Sequence, residues 1–188
     1  MNKKILVLDY KVGNVNSVLK AVKHFGFEPV LSNRIDDLEN ADKIILPGQG
    51  SYDYAINKID DLNLREPIIK AARKKKKILG ICLGMQLLSS FGYENKKKTK
   101  GLGLISGNVV KMSQKNIKLP HIGWSTVKQN KKSKIFFDIP NNSDFYHCHS
   151  YVFETENKNN ILATSRYKIK FTTAISNENI YGVQFHPE

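Results

Sequence analysis

An α/β fold, with a mostly parallel central sheet flanked by helices and antiparallel additions in the C-terminal half, is predicted by three features of the sequence. Short apolar runs alternate with amphipathic stretches of helical period through the first half. The second half changes to a succession of β-rich runs. Between them the apolar run Lys77-Ile78-Leu79-Gly80-Ile81 leads straight through Cys82-Leu83-Gly84 into a helical pattern, the strand-turn-helix crossing of a parallel sheet covered on both faces.

The elements follow in order. Ile5-Leu6-Val7-Leu8 gives a first strand over 4 to 8; the run stops at Asp9, too soon for the apolar segment of a signal peptide despite the basic start Met1-Asn2-Lys3-Lys4. A helix runs from about Asn14 to Phe25 and closes at Gly26, and a strand follows at 29 to 31. A strand over 43 to 46 enters Pro47-Gly48-Gln49-Gly50, helices cover 51 to 59 and 65 to 76, and the strand at 77 to 81 precedes a helix over Met85 to Phe91. The β-rich runs lie at 107 to 112, 123 to 128, 145 to 153, 161 to 166, 171 to 176 and 180 to 185, with Asn177-Glu178-Asn179 turning the last two into a hairpin. With no internal repeat and no Pro/Ser-rich linker, residues 1–188 read as a single domain.

Composition narrows the function classes. The chain of 188 residues is 40% hydrophobic, enough for a sizeable core, and no apolar run is long enough to span a bilayer. Two cysteines, Cys82 and Cys148, make no disulfide framework, so a reducing, cytoplasmic setting is expected. The net charge of +13 is concentrated in Arg73-Lys74-Lys75-Lys76-Lys77 and Lys96-Lys97-Lys98-Thr99-Lys100. The first run closes a helix, where cations oppose the dipole, and the second falls in a connection; neither has the interleaved aromatics of a single-strand binder, so nucleic acid is not expected as a partner. A basic face suits an anionic phosphosugar or an acidic partner subunit.

The chemistry centres on Cys82. A thiol held between Gly80 and Gly84 at a strand-to-helix turn has the spacing of a nucleophile elbow, the glycines allowing the sharp fold. A free cysteine is more often a small buried hydrophobe, and a nucleophilic one needs a base beside it. That base is found in His186-Pro187-Glu188: on an extended segment residues i and i+2 share a side, so Glu188 can hold the His186 imidazole while the proline stiffens the pair. His147-Cys148-His149 is dense in metal ligands, but Cys148 points away from its neighbours and no second cluster completes a tetrahedral set, so no metal is expected. The same judgement covers His121, which joins these three as a possible ligand, and His24 is a helix-end residue. No Walker or Rossmann spacing occurs, and no cofactor is expected.

Gly80-Ile81-Cys82-Leu83-Gly84-Met85-Gln86 together with Gly182-Val183-Gln184-Phe185-His186-Pro187-Glu188 closely resembles the class I (triad) glutamine amidotransferases. Within that family, Asp9-Tyr10-Lys11-Val12-Gly13-Asn14, Pro47-Gly48-Gln49-Gly50, Pro120-His121-Ile122-Gly123-Trp124 and His149-Ser150-Tyr151 resemble the glutaminase subunits of imidazole glycerol phosphate synthases, a resemblance that spans the chain. It implies that Cys82 attacks the side-chain amide of glutamine, that His186 moves the proton and that Glu188 orients it. Leu83 and the backbone of Gly48, Gln49 and Gly50 would form the oxyanion hole; Gln86, His149, Ser150 and Tyr151 would hold the amino-acid end of glutamine. Lys11, Asn14 and Trp124 would meet a (β/α)8 synthase subunit in a heterodimer that receives the ammonia and makes imidazole glycerol phosphate. The chain departs from the family pattern at Lys11, usually glycine, at Ser125, often asparagine, and at His147-Cys148, usually bulky and apolar; the pattern itself runs on past the position of Glu188 with Lys-Ser and a short final segment. Three other readings stand beside this one: a paralogous glutaminase serving a nucleotide-sugar amidotransferase of surface polysaccharide synthesis, a stand-alone cysteine triad hydrolase, and a basic binding protein that kept the fold without catalysis.

Overall fold

A computed structural model describes residues 4–95 and 97–188, so Lys96 of the second lysine run and the first three residues lie outside it. Five parallel strands come first in the larger of two sheets: β1 (Ile5–Leu8), β2 (Pro29–Ser32), β3 (Lys43–Leu46), β4 (Lys77–Ile81) and β13 (Ile180–Val183). The sheet continues antiparallel through β12 (Ile169–Asn177), β11 (Ile161–Tyr167), β8 (His121–Gln129) and β9 (Ser143–His149), in the order β2-β1-β3-β4-β13-β12-β11-β8-β9. The expected mixture of parallel and antiparallel strands is therefore present.

Helices cover both faces of the parallel half. The helix α1 (Val15–His24) lies on one face, where Val18 joins Val7, Ile81 and Val183. On the other are α2 (Ile35–Asn40), α3 (Tyr52–Asp61) and α4 (Arg65–Arg73), whose Leu38, Ile56, Ile59 and Ile68 pack against Leu6, Leu8, Ile44 and Leu46. All four residues of β1 are buried, which is why it reads as an unbroken apolar run rather than an alternating one.

Four differences from the sequence reading have causes visible in the structure. The helix after Cys82, α5, is only Leu83–Leu87, and Phe91 starts a strand instead of ending a helix. Ser89 turns the chain there, accepting or donating at the Tyr52 hydroxyl (2.8 Å) and donating to the Phe91 carbonyl (3.2 Å). The second lysine run is not a connection: β5 (Phe91–Glu94) pairs with β6 (Lys97–Lys100), and Lys98 sits 4.0 Å from the centre of the Phe91 ring. The helix expected to reach residue 76 stops at Arg73, with Lys75 at φ 60°; Lys76 then bonds the carbonyls of Glu39 and Ala41. Finally, the run at 145 to 153 is two strands in two sheets. The chain leaves β9 at Ser150 and enters β10 (Tyr151–Thr155), which belongs with β7 (Gly107–Lys111), β5 and β6 to a four-stranded sheet. Val109 and Phe153 of that sheet share the core of the parallel half.

Candidate active site

The register of two adjacent strands places the two ends of the site. Strands β4 and β13 run parallel with Ile81 opposite Val183, and the Cys82 N–H donates to the Val183 carbonyl at 2.7 Å. Cys82 therefore leaves the sheet beside the segment that carries His186. That segment is fixed in turn by the His186 N–H donating to the Tyr146 carbonyl of β9 at 2.9 Å.

Cys82 has φ 52° and ψ −109°, a conformation that glycine adopts freely and a residue with a Cβ resists. The strain at the turn therefore sits on the cysteine itself. Gly80 and Gly84, expected to supply the sharp bend, serve a different need: neither has a positive φ, but a Cβ on Gly84 would lie 1.8 Å from the Leu46 carbonyl oxygen and one on Gly80 would lie 2.4 Å from the Gly84 oxygen. They let α5 press against β3 and β4, which holds the strained residue between them.

Around the thiol, Gln184 Nε2 donates to Cys82 Sγ at 3.7 Å, and Sγ lies 4.0 Å from the Cys148 carbonyl. His186 Nδ1 is 3.0 Å from Glu188 Oε1, and its Nε2 is buried with no hydrogen-bond partner among the described residues. Cys82 first and Glu188 second raise the basicity of His186 against the opposing effect of burial, to a pKa of about 10. A charged imidazole between a sulfur and a carboxylate is what this arrangement favours.

A cavity of about 250 Å³ is lined among others by Asn14, Gly48, Gln49, Tyr146, His186 and Glu188, while Cys82 itself is buried and not part of the lining. The Pro47–Gln49 loop forms part of its wall and is held by a hydrogen bond from the Tyr10 hydroxyl to the Pro47 carbonyl. Tyr10 is fully buried, and burial together with the nearby Cys82 charge raises its pKa. The Leu83 N–H donates to the Gly48 carbonyl at 3.4 Å, so this loop presents an oxygen, not an N–H, toward the elbow. Gly50, at φ 130°, completes the loop outside the cavity lining.

The residues assigned to the amino-acid end of glutamine lie elsewhere. Gln86 is buried and lines no part of this cavity; its Nε2 donates to the Tyr151 carbonyl at 3.1 Å and to Gln184 Oε1 at 3.0 Å. His149 is buried as well, with Nδ1 2.9 Å from the same Tyr151 carbonyl, while Ser150 and Tyr151 are half-buried. Tyr10 and Gln184 are the contributors that sequence reasoning left without a role. Both stand within quoted motifs, and only the fold shows what they touch.

A class I glutamine amidotransferase model ("Glutamine amidotransferase class-I") matches residues 6–188. The chain belongs to that family. As a class I glutamine amidotransferase it is 42% identical over 186 residues to imidazole glycerol phosphate synthase subunit HisH 2 of Methanococcus maripaludis, covering 98% of this chain and 91% of the relative. It is 39% identical over 191 residues to imidazole glycerol phosphate synthase subunit HisH of Pelagibacter ubique, with coverage of 98% and 91%. Among solved structures, a crystal structure of glutamine amidotransferase superposes with a TM-score of 0.76 at 16% identity, covering 97% of this chain and 89% of that one. The structure of PurLQS from Thermotoga maritima gives 0.74 at 20% identity, with coverage of 100% and 88%. At those identities the amidotransferase shares its fold with them, and its closer kinship lies with the sequence relatives.

The remaining candidates lie on the face of β8 and β9 that carries Tyr146 and Cys148 and in the segment before α1. Trp124 is 72% exposed and meets Tyr146 edge to face at 5.9 Å, and Ile122 is 60% exposed. Lys11 is exposed at φ 63°, a backbone conformation suited to the glycine usual in the family, and pairs with Asp9 at 2.6 Å. Asn14 precedes α1 and donates to Ser17 Oγ at 2.9 Å. Ser125 does not join this surface: its Oγ lies 3.1 Å from His121 Nε2, on the inner face.

The strand pairing brings together histidines that lie far apart in the sequence. β8 pairs with β9 so that His121 stands directly opposite His149, on the face that also carries His147. Residues opposite one another on antiparallel strands share a face. The three buried rings converge, one nitrogen from each lying within 4.8 Å of the others.

Proposed function

We propose that this chain is the cytoplasmic glutaminase subunit of an imidazole glycerol phosphate synthase, hydrolysing glutamine to glutamate and passing the ammonia to a (β/α)8 cyclase subunit in a heterodimer. The observation that supports the reading is that the β4–β13 pairing sets Cys82, at the end of β4, beside the segment that carries the hydrogen-bonded His186–Glu188 pair. The names of the relatives support the histidine pathway over another acceptor.

In this mechanism Cys82 Sγ attacks the carboxamide carbon of glutamine, the C–N bond breaks, and His186 gives its proton to the departing ammonia. The thioester then takes up water, with neutral His186 as base, and releases glutamate. Glu188 keeps the imidazole in place. The Leu83 N–H stabilises the oxyanion once the Gly48 carbonyl turns away, and the same rotation brings the Gln49 N–H inward to complete the hole beside Gly50. Gln86 and His149 act at a distance from the cavity, fixing the Tyr151 carbonyl and with it the turn at Ser150.

Glu188→Gln tests the charged pair. Glu188 helps raise the His186 pKa, so its loss makes the imidazolium deprotonate at lower pH, and the alkaline limb of kcat/KM for glutamine moves down. A rate loss of about 10²- to 10⁴-fold accompanies the shift; an unmoved limb would remove Glu188 from the mechanism.

Ile122, Trp124 and Tyr146 form the apolar centre of the docking surface, with Lys11 and Asn14 beside them. Trp124→Ala is expected to weaken the heterodimer by about 2 kcal/mol or more, read by calorimetric titration, with the free subunit's melting temperature little changed. The deciding experiment mixes the purified chain with the histidine-pathway cyclase. Glutamine-dependent formation of imidazole glycerol phosphate, with glutaminase turnover slow until the cyclase and its ligand are added, is the expected result. Rapid turnover without any partner would instead favour a stand-alone hydrolase.

A further inference from the structure

We propose that His121, His147 and His149 form a binding site for one divalent transition-metal ion of the zinc type, on the inner face of β8 and β9 and distinct from the cysteine site. This inference does not rest on the glutaminase reading.

The cluster has the requirements of a ligand set. All three rings are buried, with His147 fully inaccessible. Buried polar atoms are nearly always paired, yet His121 Nδ1 has no hydrogen-bond partner among the described residues. His149 Nδ1 can only donate to the Tyr151 carbonyl, which fixes its tautomer and leaves Nε2 with a lone pair. A backbone carbonyl holding the far nitrogen of an imidazole is the usual support behind a metal-bound histidine. That Nε2 lies 3.2 Å from His147 Nδ1, close to the spacing of about 3.3 Å between two nitrogens around a tetrahedral zinc with bonds of about 2.0–2.1 Å.

The surroundings keep the rings neutral and placed. Burial lowers the pKa of His147 to about 3 and of His149 to about 4, and that of His121 falls for the same reason, so all three offer lone pairs at neutral pH. Tyr167 stacks on His121 at 4.1 Å, and Phe171 packs edge-on against all three rings, giving the apolar wall that excludes competing water. Ser125 and His147, two positions where the chain departs from the family pattern, both belong to the cluster. Three imidazoles leave a fourth position for water, and the set favours zinc, cobalt, nickel or copper over magnesium or calcium.

The test uses the full-length chain, stripped with a chelator and dialysed against Zn²⁺ at micromolar concentration. One equivalent of zinc by elemental analysis is expected, retained by Cys82→Ser and lost by His147→Phe. Zinc at 100 times its dissociation constant should raise the melting temperature by roughly 5–10 °C. Should His147→Phe fail to fold, Co²⁺ substitution of the unmutated chain decides: an intense visible spectrum of a tetrahedral site without a thiolate-to-cobalt band supports the site, and a thiolate band overturns it by placing the metal on a cysteine. Absence of stoichiometric zinc in the unmutated chain, or its retention by folded His147→Phe, also overturns it.

Discussion

Cys82→Ala is expected to abolish glutamine-dependent synthesis by the subunit pair, by at least about 10⁴-fold, while synthesis from ammonium salts stays at the wild-type level. The asymmetry follows from the position of the thiol. It faces Gln184 and the Cys148 carbonyl at a turn and is not a large part of the core, so removing sulfur leaves the packing of β4 and β13 in place. A parallel loss of ammonia-dependent activity would mean that Cys82 shapes the interface or the ammonia route. Cys82→Gly extends the test to the backbone. Alanine keeps the Cβ that resists φ 52°, whereas glycine relieves strain of about 1–3 kcal/mol and costs about 0.4–1 kcal/mol through the unfolded chain. The glycine variant should therefore melt above the alanine one, and a reversed order would show that the turn is not strained.

Gly84→Ala is the substitution expected to cost the most stability. The added methyl would meet the Leu46 carbonyl oxygen at 1.8 Å, a contact with backbone rather than with a side chain that can swing aside. Relief requires α5 to lift from β3, which also withdraws Met85, Leu87 and Leu88 from the core. A loss exceeding about 3 kcal/mol is expected, a fall of roughly 6–12 °C or more in melting temperature. Urea unfolding monitored by circular dichroism measures it directly. A change below about 1 kcal/mol would mean that α5 rides more loosely on the sheet than the contacts imply.

Much of the parallel half is legible in the sequence because local pattern and burial agree there. Ile5 to Leu8, Lys43 to Leu46 and Lys77 to Ile81 are apolar runs short enough to be strands and covered on both faces, and each stands where expected. The elbow cysteine and the terminal His186 and Glu188 are legible for a related reason: each lies just past such a strand. What escapes is decided by partners distant in the chain. The division of residues 145 to 153 between two sheets depends on which strands claim each half, β8 for the first and β7 for the second. The lysine run at 97 to 100 becomes a strand only because Phe91 to Glu94 lie opposite. His121 joins His147 and His149 through a pairing register that no spacing in the sequence reveals. Gln184 and Gln86 likewise meet across 98 residues of chain.

The position of β13 has a consequence for how the protein comes into being. Among the described residues twelve strands precede it in the sequence, yet it lies between β4 and β12 and bridges the parallel half of the large sheet to the antiparallel half. A chain emerging from the ribosome must hold two incomplete half-sheets apart, each with an unpaired edge open to wrong pairing, until this strand arrives. Its arrival closes the gap and delivers His186 beside Cys82 in the same event. Completion of the sheet and acquisition of chemistry are thus simultaneous, and a nascent chain carries a thiol with no base to activate it.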